Sequence, residues 1–398
     1  MKASSIHKNI AESQNILIEN IKVLLYKNDI GIFDYLDFND DCIYQEPLLF
    51  AYFKSKKESK ADLNAILYGY IKPHLRLKNL KVTADKFGRV YLPNLGWFVD
   101  CEAQNRYELN TLENGELTLT VNGKECKHKF EPLKYIKNSR IEILKYPITL
   151  LNQFYHDVNQ TQLEVEISDI TARHSENLNR VFDILKQTIP AHFELINRVT
   201  KKIVIFNVDT TLRNSFAALS AHGIGFINAY QEEYNEVFFI DDIAHQTGHI
   251  IFNTLIYDIP KFIKTDPSTI IQTLHLGNGT TETRSLYIIF HALYTYYTTF
   301  TCLNACLARG IFSGKKRHEA LGRIHFYLGK CYQDLSLIEN HSIGAEMLFT
   351  NDGLKIYLMI KSMFIFTRDK WISQTKKFDM SNQPYNFTFS KFLELNQM

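Results

Sequence analysis

The chain has 398 residues, of which 45% are hydrophobic and 22% are charged, and its formal net charge is +2. This composition excludes a wholly disordered chain, and the near-neutral charge gives no reason to expect a nucleic-acid partner. No run of about 18 apolar residues occurs, so we expect no transmembrane helix and no membrane partner. The first residues lack the apolar core of a signal peptide, and we therefore expect a cytoplasmic protein.

The N-terminal part of the chain changes its pattern near residue 76. Residues 1–75 carry apolar side chains at helical spacing, which predicts an N-terminal group of helices. Residues 76–145 alternate between apolar and polar side chains and contain Asn-Gly pairs at 114–115 and 122–123. Because Asn-Gly between alternating segments is a strong hairpin signal, we predict one small antiparallel β-sheet here.

Helical patterns return in the third part of the chain, residues 146–398. We predict two strands within it, at Lys202–Phe206 and Gly223–Tyr230, because both segments are short, apolar and bounded by turn residues. Long helices are predicted at about 282–308, 317–338 and 350–368. The sequence thus predicts a mainly helical α+β fold, in which a small antiparallel region precedes a C-terminal helical domain with a short sheet.

A row of polar residues on an apolar segment is the most informative feature of this domain. Asp241, His245, His249 and Asn253 recur every four residues, which places them on one face of a helix over residues 237–257. A buried polar group without a partner costs about 1–3 kcal/mol, so the row predicts a polar cavity. Two histidines one turn apart can bind one metal ion, although core histidines bonded to the backbone would give the same spacing.

A second polar row follows in the next predicted helix. We expect Thr280 or Thr281 to cap this helix, with Glu282 in its first turn. Arg284 and His291 lie seven residues apart and would share one helical face. If this row faces the first one, three histidines, an arginine and acidic groups line one cavity. The alternative is a surface arginine and a core histidine.

The residue types favour one metal chemistry over another. Zinc proteases with two histidines at this spacing need a glutamate directly after the first histidine as general base, but this chain has Gln246 there. An amide cannot accept a proton near neutral pH, so hydrolysis would need Asp241, Asp242 or Glu282 instead. An iron(II) oxygenase needs two histidines, a third ligand and a cation that binds the distal carboxylate of 2-oxoglutarate. The residues fit this second chemistry better.

Three short motifs together resemble a known family. His245-Gln-Thr-Gly-His249 corresponds to a His-Glu-x-x-His helix, and Arg284 with His291 corresponds to an arginine that opens a second helix with a histidine or glutamine seven residues later. Phe349-Thr-Asn-Asp-Gly353 corresponds to a late Leu-Thr-x-x-Gly, with Phe in place of Leu. Over residues 205–365 the order and spacing resemble the α-ketoglutarate-dependent HExxH-type peptide β-hydroxylases, which modify ribosomally made peptides.

This resemblance implies a metal site and its ligands. It implies iron(II) bound by His245 and His249, with His291 as the first choice for the third ligand. Glu282 and Asp241 are the alternatives for that third position. Asp241, one turn before the first histidine, is better placed to orient a ligand than to bind the ion itself.

The resemblance also implies a reaction and a partner. Arg284 would bind 2-oxoglutarate, and a peptide or precursor peptide would be hydroxylated on a side-chain β-carbon. We expect the strand at 223–230 to pair with the extended substrate. Gln246 departs from the glutamate of the family, and it keeps two alternatives open: a relic of a zinc-dependent peptide hydrolase, and a peptide-binding protein without catalytic activity.

Overall fold

A computed structural model describes residues 3–55, 62–157, 159–231, 234–275 and 281–398 of the chain. It is 53% helical and 16% strand, with several small antiparallel sheets, which confirms the predicted mainly helical α+β fold. None of the helices in the described ranges combines the length and the apolar character needed to cross a membrane.

The α-helices follow one another in this order: α1 (Ala3–Asn28), α2 (Asp41–Tyr44), α3 (Pro47–Lys54), α4 (Leu63–Leu67), α5 (Ser168–Thr188), α6 (Pro190–Val199), α7 (Glu236–Leu255), α8 (Leu286–Ala308), α9 (Gly314–Glu339), α10 (Ala345–Leu348), α11 (Asn351–Thr375) and α12 (Phe389–Leu395). The strands are β1 (Leu80–Thr83), β2 (Val90–Leu92), β3 (Gly96–Val99), β4 (Arg106–Thr111), β5 (Leu117–Val121), β6 (Lys124–Glu125), β7 (Lys129–Pro132), β8 (Lys134–Tyr135), β9 (Glu142–Ile143), β10 (Lys202–Phe206), β11 (Phe216–Ala217), β12 (Ile224–Asn228), β13 (Ile270–His275) and β14 (Thr281–Ser285).

The chain divides into two compact units that alternate along the sequence. The helical unit comprises Met1–Ser13, His174–Val199 and Tyr230–Met398. The sheet unit comprises Gln14–Arg173 and Thr200–Ala229. The sequence predicted three consecutive domains, residues 1–75, 76–145 and 146–398. That division follows changes of sequence pattern along the chain, and it stays a prediction.

The sheet unit contains two small antiparallel sheets where the sequence predicted one. The Asn-Gly turns do form hairpins on both sides of β5, and the first sheet has the order β1-β4-β5-β6. The second sheet has the order β2-β3-β7. The turn between β1 and β2 separates them, because the peptide groups of Asp85 and Gly88 bond to Gln104 and Cys101 in a later loop. A side chain at Gly88 would collide with the Cys101 carbonyl, so glycine permits this close approach.

The third sheet of this unit is mixed and has the strand order β11-β12-β10-β9-β8. The predicted strand at Lys202–Phe206 is β10, and all five of its residues are buried. The strand predicted at 223–230 is β12, which pairs with β10 in parallel and with β11 in antiparallel fashion. Since both edges of β12 are used within the sheet, the expected pairing of this strand with a peptide substrate is wrong.

A buried lysine lies at the start of β10. The Nζ atom of Lys202 lies 2.7 Å from a carboxylate oxygen of Glu142 and 3.1 Å from one of Glu46. It also donates a hydrogen bond of 3.0 Å to the Tyr91 hydroxyl. The side chains of the lysine and the two glutamates are at most 4% exposed. Lys202 is therefore the counter-charge for two buried carboxylates, which are shielded from solvent.

The helical unit is built around α7, α8, α9 and α11, which pack on one another. The Asn235 side chain accepts hydrogen bonds from the backbone at Val237 and Phe238, which caps α7 at its start. The helices predicted at 317–338 and 350–368 correspond to α9 and α11; α9 begins three residues earlier than predicted, and α11 ends seven residues later.

The start of α8 differs from the prediction. Thr281–Ser285 forms β14, which pairs with β13, and the helix begins only at Leu286 with the Ser285 side chain as its cap. The expected cap at Thr281 is therefore wrong, and Thr280 lies outside the described residues. Arg284 belongs to the strand and not to the helix. Alternating β-branched threonines favour a strand here, and pairing with β13, which ends six residues before β14 begins, stabilises it.

Replacing Lys202 with Met should lower the free energy of unfolding by about 3–5 kcal/mol, because two buried carboxylates lose their counter-charge. Urea-induced unfolding measures this change. Lys86→Met is the matched control, since Lys86 forms an exposed ion pair with Glu164 in the same unit, and its effect should stay below about 1 kcal/mol. Equal effects of the two substitutions would show that the buried charges are not coupled.

Candidate functional site

The two polar rows predicted from the sequence lie against each other in the helical unit. Helices α7 and α8 approach closely at Gly248, where a Cβ atom would collide with the Thr298 hydroxyl. At the next residue of α7, and two turns before Thr298 on α8, Nδ1 of His249 lies 2.7 Å from Nε2 of His291. The inference that the rows face each other, which was drawn from shared polarity alone, agrees with this contact.

The three histidines expected as metal ligands form one cluster. The ring centroid of His249 lies 4.9 Å from that of His245 and 4.3 Å from that of His291. Aromatic rings hold the outer two in place. Tyr327 stacks on His245 at 5.9 Å, and Phe252 stacks on His291 at 5.0 Å.

All three imidazoles are neutral near pH 7. Burial lowers the pKa of His245 to about 3, and the neighbouring Lys330 and His291 contribute to this shift. Burial also lowers the pKa of His291 to about 4 and that of His249 well below its usual value. Neutral imidazole is the form that binds metal ions. Within the described residues, Nδ1 of His245 has no hydrogen-bond partner, so this atom is available for a ligand.

The donors fit a metal ion by type and proximity, but their orientation differs from that of bound ligands. Two nitrogens that bind one ion at about 2.1 Å lie about 3 Å apart or more. The 2.7 Å contact of His249 with His291 is a hydrogen bond, in which one ring donates its proton to the other. In the described part of the chain, no three or more His, Cys, Asp or Glu side chains are arranged to hold an ion. Metal binding therefore requires these rings to turn.

Asp241 is engaged in an ion pair beside the histidines. Its carboxylate accepts a hydrogen bond of 2.6 Å from Arg323, whose guanidinium also binds Glu319. The Tyr327 hydroxyl bonds to the same carboxyl group. Tyr327 also stacks on His245, so this tyrosine contacts both Asp241 and the first histidine. The sequence left Asp241 either as a ligand or as a group that orients one, and that choice stays a prediction.

Gln246 is buried next to the first histidine. Its Nε2 atom donates a hydrogen bond of 3.1 Å to Asp242, while its Oε1 atom has no hydrogen-bond partner among the described residues. An amide at this position can position a polar ligand but cannot take up a proton near neutral pH.

Arg284 binds a carboxylate in this structure. Its two terminal nitrogens donate hydrogen bonds of 2.7 and 2.8 Å to the two oxygens of Asp334 on α9. Tyr296 interacts electrostatically with Arg284 and Asp334, and its ring lies 6.4 Å from that of His245. Arg284 thus has the geometry predicted for a carboxylate-binding residue, but a side chain of the protein occupies it.

Glu282, the alternative third ligand, lies two residues before Arg284 in β14 and is exposed. Glu282 is exposed, whereas His291 is partly buried and bonds directly to His249, so His291 is the better third member of the cluster.

Helix α9 contributes groups that the sequence reasoning missed. Its polar residues recur at intervals of three or four and thus share one face: Glu319, Arg323, Tyr327, Lys330 and Asp334. Burial lowers the pKa of the Lys330 ammonium to about 8, and this cation lies close enough to His245 to influence its pKa. These residues recur at the spacing of one helical turn, as the polar residues of α7 do, so the same sequence pattern could have identified this face of α9.

A comparison with models of known protein families found no match, and a comparison with curated proteins found none either. The resemblance to the peptide β-hydroxylases therefore depends on the short motifs alone.

Gly248→Ala should destabilise the protein by about 1–3 kcal/mol, because the new methyl group collides with Thr298 and forces α7 away from α8. Urea-induced unfolding measures the change. The control is Gly329→Ala on α9, where nothing lies within 4 Å of the new methyl group and a gain of about 0.5–1 kcal/mol is expected. Stabilisation by Gly248→Ala would contradict the close helix contact.

Proposed function

We propose that the chain is an iron(II)- and 2-oxoglutarate-dependent oxygenase that hydroxylates a side-chain β-carbon in a peptide. The observation that carries this proposal is the cluster of three partly buried, neutral histidines where α7 meets α8. Such a set of nitrogen donors suits a divalent transition metal. Iron(II) with 2-oxoglutarate supplies the oxygen activation that hydroxylation of an aliphatic carbon requires.

The residues of the chain have separate tasks in this proposal. His245, His249 and His291 offer the metal ligands, and Tyr327 and Phe252 stack on the first and the last of them. Partial burial of the cluster limits its contact with bulk water, which protects the reaction from side products.

Arg284 is the proposed binding residue for the distal carboxylate of 2-oxoglutarate. It already binds the Asp334 carboxylate through two parallel hydrogen bonds, which is the geometry that a ligand carboxylate would use. Binding of 2-oxoglutarate at Arg284 therefore requires Asp334 to leave. Lys330, one turn earlier on α9, attracts Asp334 electrostatically and could accept it as a new partner.

Several contacts argue against the zinc hydrolase. The position of the general base is taken by Gln246, and the neighbouring Asp242 accepts a hydrogen bond from that amide. Asp241 is neutralised by Arg323, and Glu282 is exposed. Each carboxylate that the sequence offered as an alternative base is thus engaged or distant from the cluster.

One observation favours a second candidate, a peptide-binding protein without catalytic activity. The groups expected to bind iron and 2-oxoglutarate instead bind one another, through the His249–His291 hydrogen bond and the Arg284–Asp334 ion pair. A site that has lost its chemistry would be stabilised by such internal partners.

The oxygenase is tested by adding iron(II) and then 2-oxoglutarate to the metal-free protein under anaerobic conditions. The proposal predicts a weak visible charge-transfer band that is absent in His249→Ala and in Arg284→Ala. Controls are His74→Ala and Arg368→Ala, which change exposed side chains outside the site. A wild-type protein that binds zinc or no metal and gives no band would reject the oxygenase in favour of the other candidates.

Asp334→Asn should strengthen 2-oxoglutarate binding about tenfold, because the ligand then no longer competes with a charged side chain for Arg284. Calorimetric titration of the iron-loaded protein measures this affinity. Asp369→Asn is the control, since Asp369 forms an exposed pair with Arg368. Unchanged or weaker binding in Asp334→Asn would show that Arg284 is not the binding residue.

A further inference from the structure

A cavity of about 750 Å³ opens on the helical unit, among residues of α1, α6, α8 and α11. Its lining is mostly apolar and includes Ile6, Leu195, Leu358, Met359 and Phe366. The volume lies within the range of about 300–1,000 Å³ that is typical of small-molecule pockets. None of the residues in the proposed metal site lines it, so this cavity needs its own explanation.

A histidine without a complete set of partners lines this apolar cavity. His192 on α6 is only 8% exposed, and its Nε2 atom has no hydrogen-bond partner in the described part of the chain. Leaving a buried polar atom unbonded is costly. A polar group on a bound ligand would satisfy this nitrogen, whereas a purely apolar ligand would leave it unbonded.

The charged and polar side chains that line the cavity indicate which polar group a bound ligand would carry. The lining residues, all of which lie in the described ranges, include His7, His192 and Lys355 but no aspartate or glutamate. Lys355 is half exposed and pairs with Asp352 outside the lining. Groups that donate hydrogen bonds or carry positive charge therefore favour an anionic head group over a cationic one.

We propose that this cavity binds a fatty acid, with the alkyl chain against the apolar side chains of α6 and α11 and the carboxyl group at Nε2 of His192. His7 and Lys355 add hydrogen-bonding groups elsewhere in the lining. The apolar lining and the polar nitrogen are then both explained by one amphiphilic ligand. This inference is independent of the proposed oxygenase, because none of its residues belongs to the histidine cluster.

The test is displacement of a fluorescent fatty-acid analogue from the full chain by three ligands of equal chain length. These are dodecanoate, dodecan-1-ol and dodecyltrimethylammonium. Dodecanoate should bind about tenfold more tightly than the alcohol, since a hydrogen bond to a charged group is stronger than one between neutral groups. The cationic ligand should bind most weakly.

Two substitutions locate the ligand. His192→Leu should weaken dodecanoate binding about tenfold while changing the affinity for the alcohol little. Ala191→Trp, at an exposed lining position, should fill the cavity and abolish binding of all three ligands. His222→Leu is the matched control in the sheet unit and should leave binding unchanged. Thermal unfolding of each variant verifies folding, and Ala191→Trp keeps the test decisive if His192→Leu does not fold.

Absence of displacement by dodecanoate would overturn the proposal, as would displacement that both His192→Leu and Ala191→Trp leave unchanged. Equal affinities for dodecanoate and dodecan-1-ol would overturn the assignment of the head group. Self-association that Ala191→Trp abolishes, without any binding of dodecanoate, would identify a second copy of the chain as the occupant and overturn the fatty acid.

Discussion

The close approach of α7 and α8 at Gly248 is the constraint on which the candidate site depends. A side chain at this position would meet Thr298 and separate the helices. Because the helices do approach, His249 on α7 and His291 on α8 come within hydrogen-bonding distance of each other. Packing and chemistry are therefore coupled here: the small residue that permits the helix contact also brings the histidines together.

In both units, one buried cation forms ion pairs with two buried carboxylates. In the helical unit Arg323 serves two acidic groups, Asp241 and Glu319. In the sheet unit Lys202 likewise lies between Glu46 and Glu142. Each arrangement has one cation for two carboxylates, so removing the cation leaves more uncompensated charge than removing either acid. The polar residues that support the histidines therefore also depend on α9 for their stability.

The sequence predicted those parts of the fold that local patterns determine. The Asn-Gly turns around β5, the apolar strand β10 and the polar row of α7 all follow from spacing within about twenty residues. The cluster of His245, His249 and His291 was also predicted, because a polar row on a buried helix needs a polar partner.

Long-range pairing explains what the sequence did not reveal. The β13–β14 hairpin changes Arg284 from a helical to a strand residue, and a helical pattern continues across that boundary. Asp334 lies 50 residues from its partner Arg284, and no spacing rule connects them. The separation of β1 and β2 into different sheets depends on contacts of a turn with a later loop. Such partners become visible only when the chain is folded.

Titration of the metal-free protein with cobalt(II), followed by its visible absorption, tests whether the three histidines bind a metal ion. We expect one ion per chain with bands typical of nitrogen ligands, and loss of those bands in His245→Ala, His249→Ala and His291→Ala. Bound cobalt whose spectrum is the same in all three variants, or no cobalt binding by a folded wild-type protein, would contradict the claim that these histidines form a metal site.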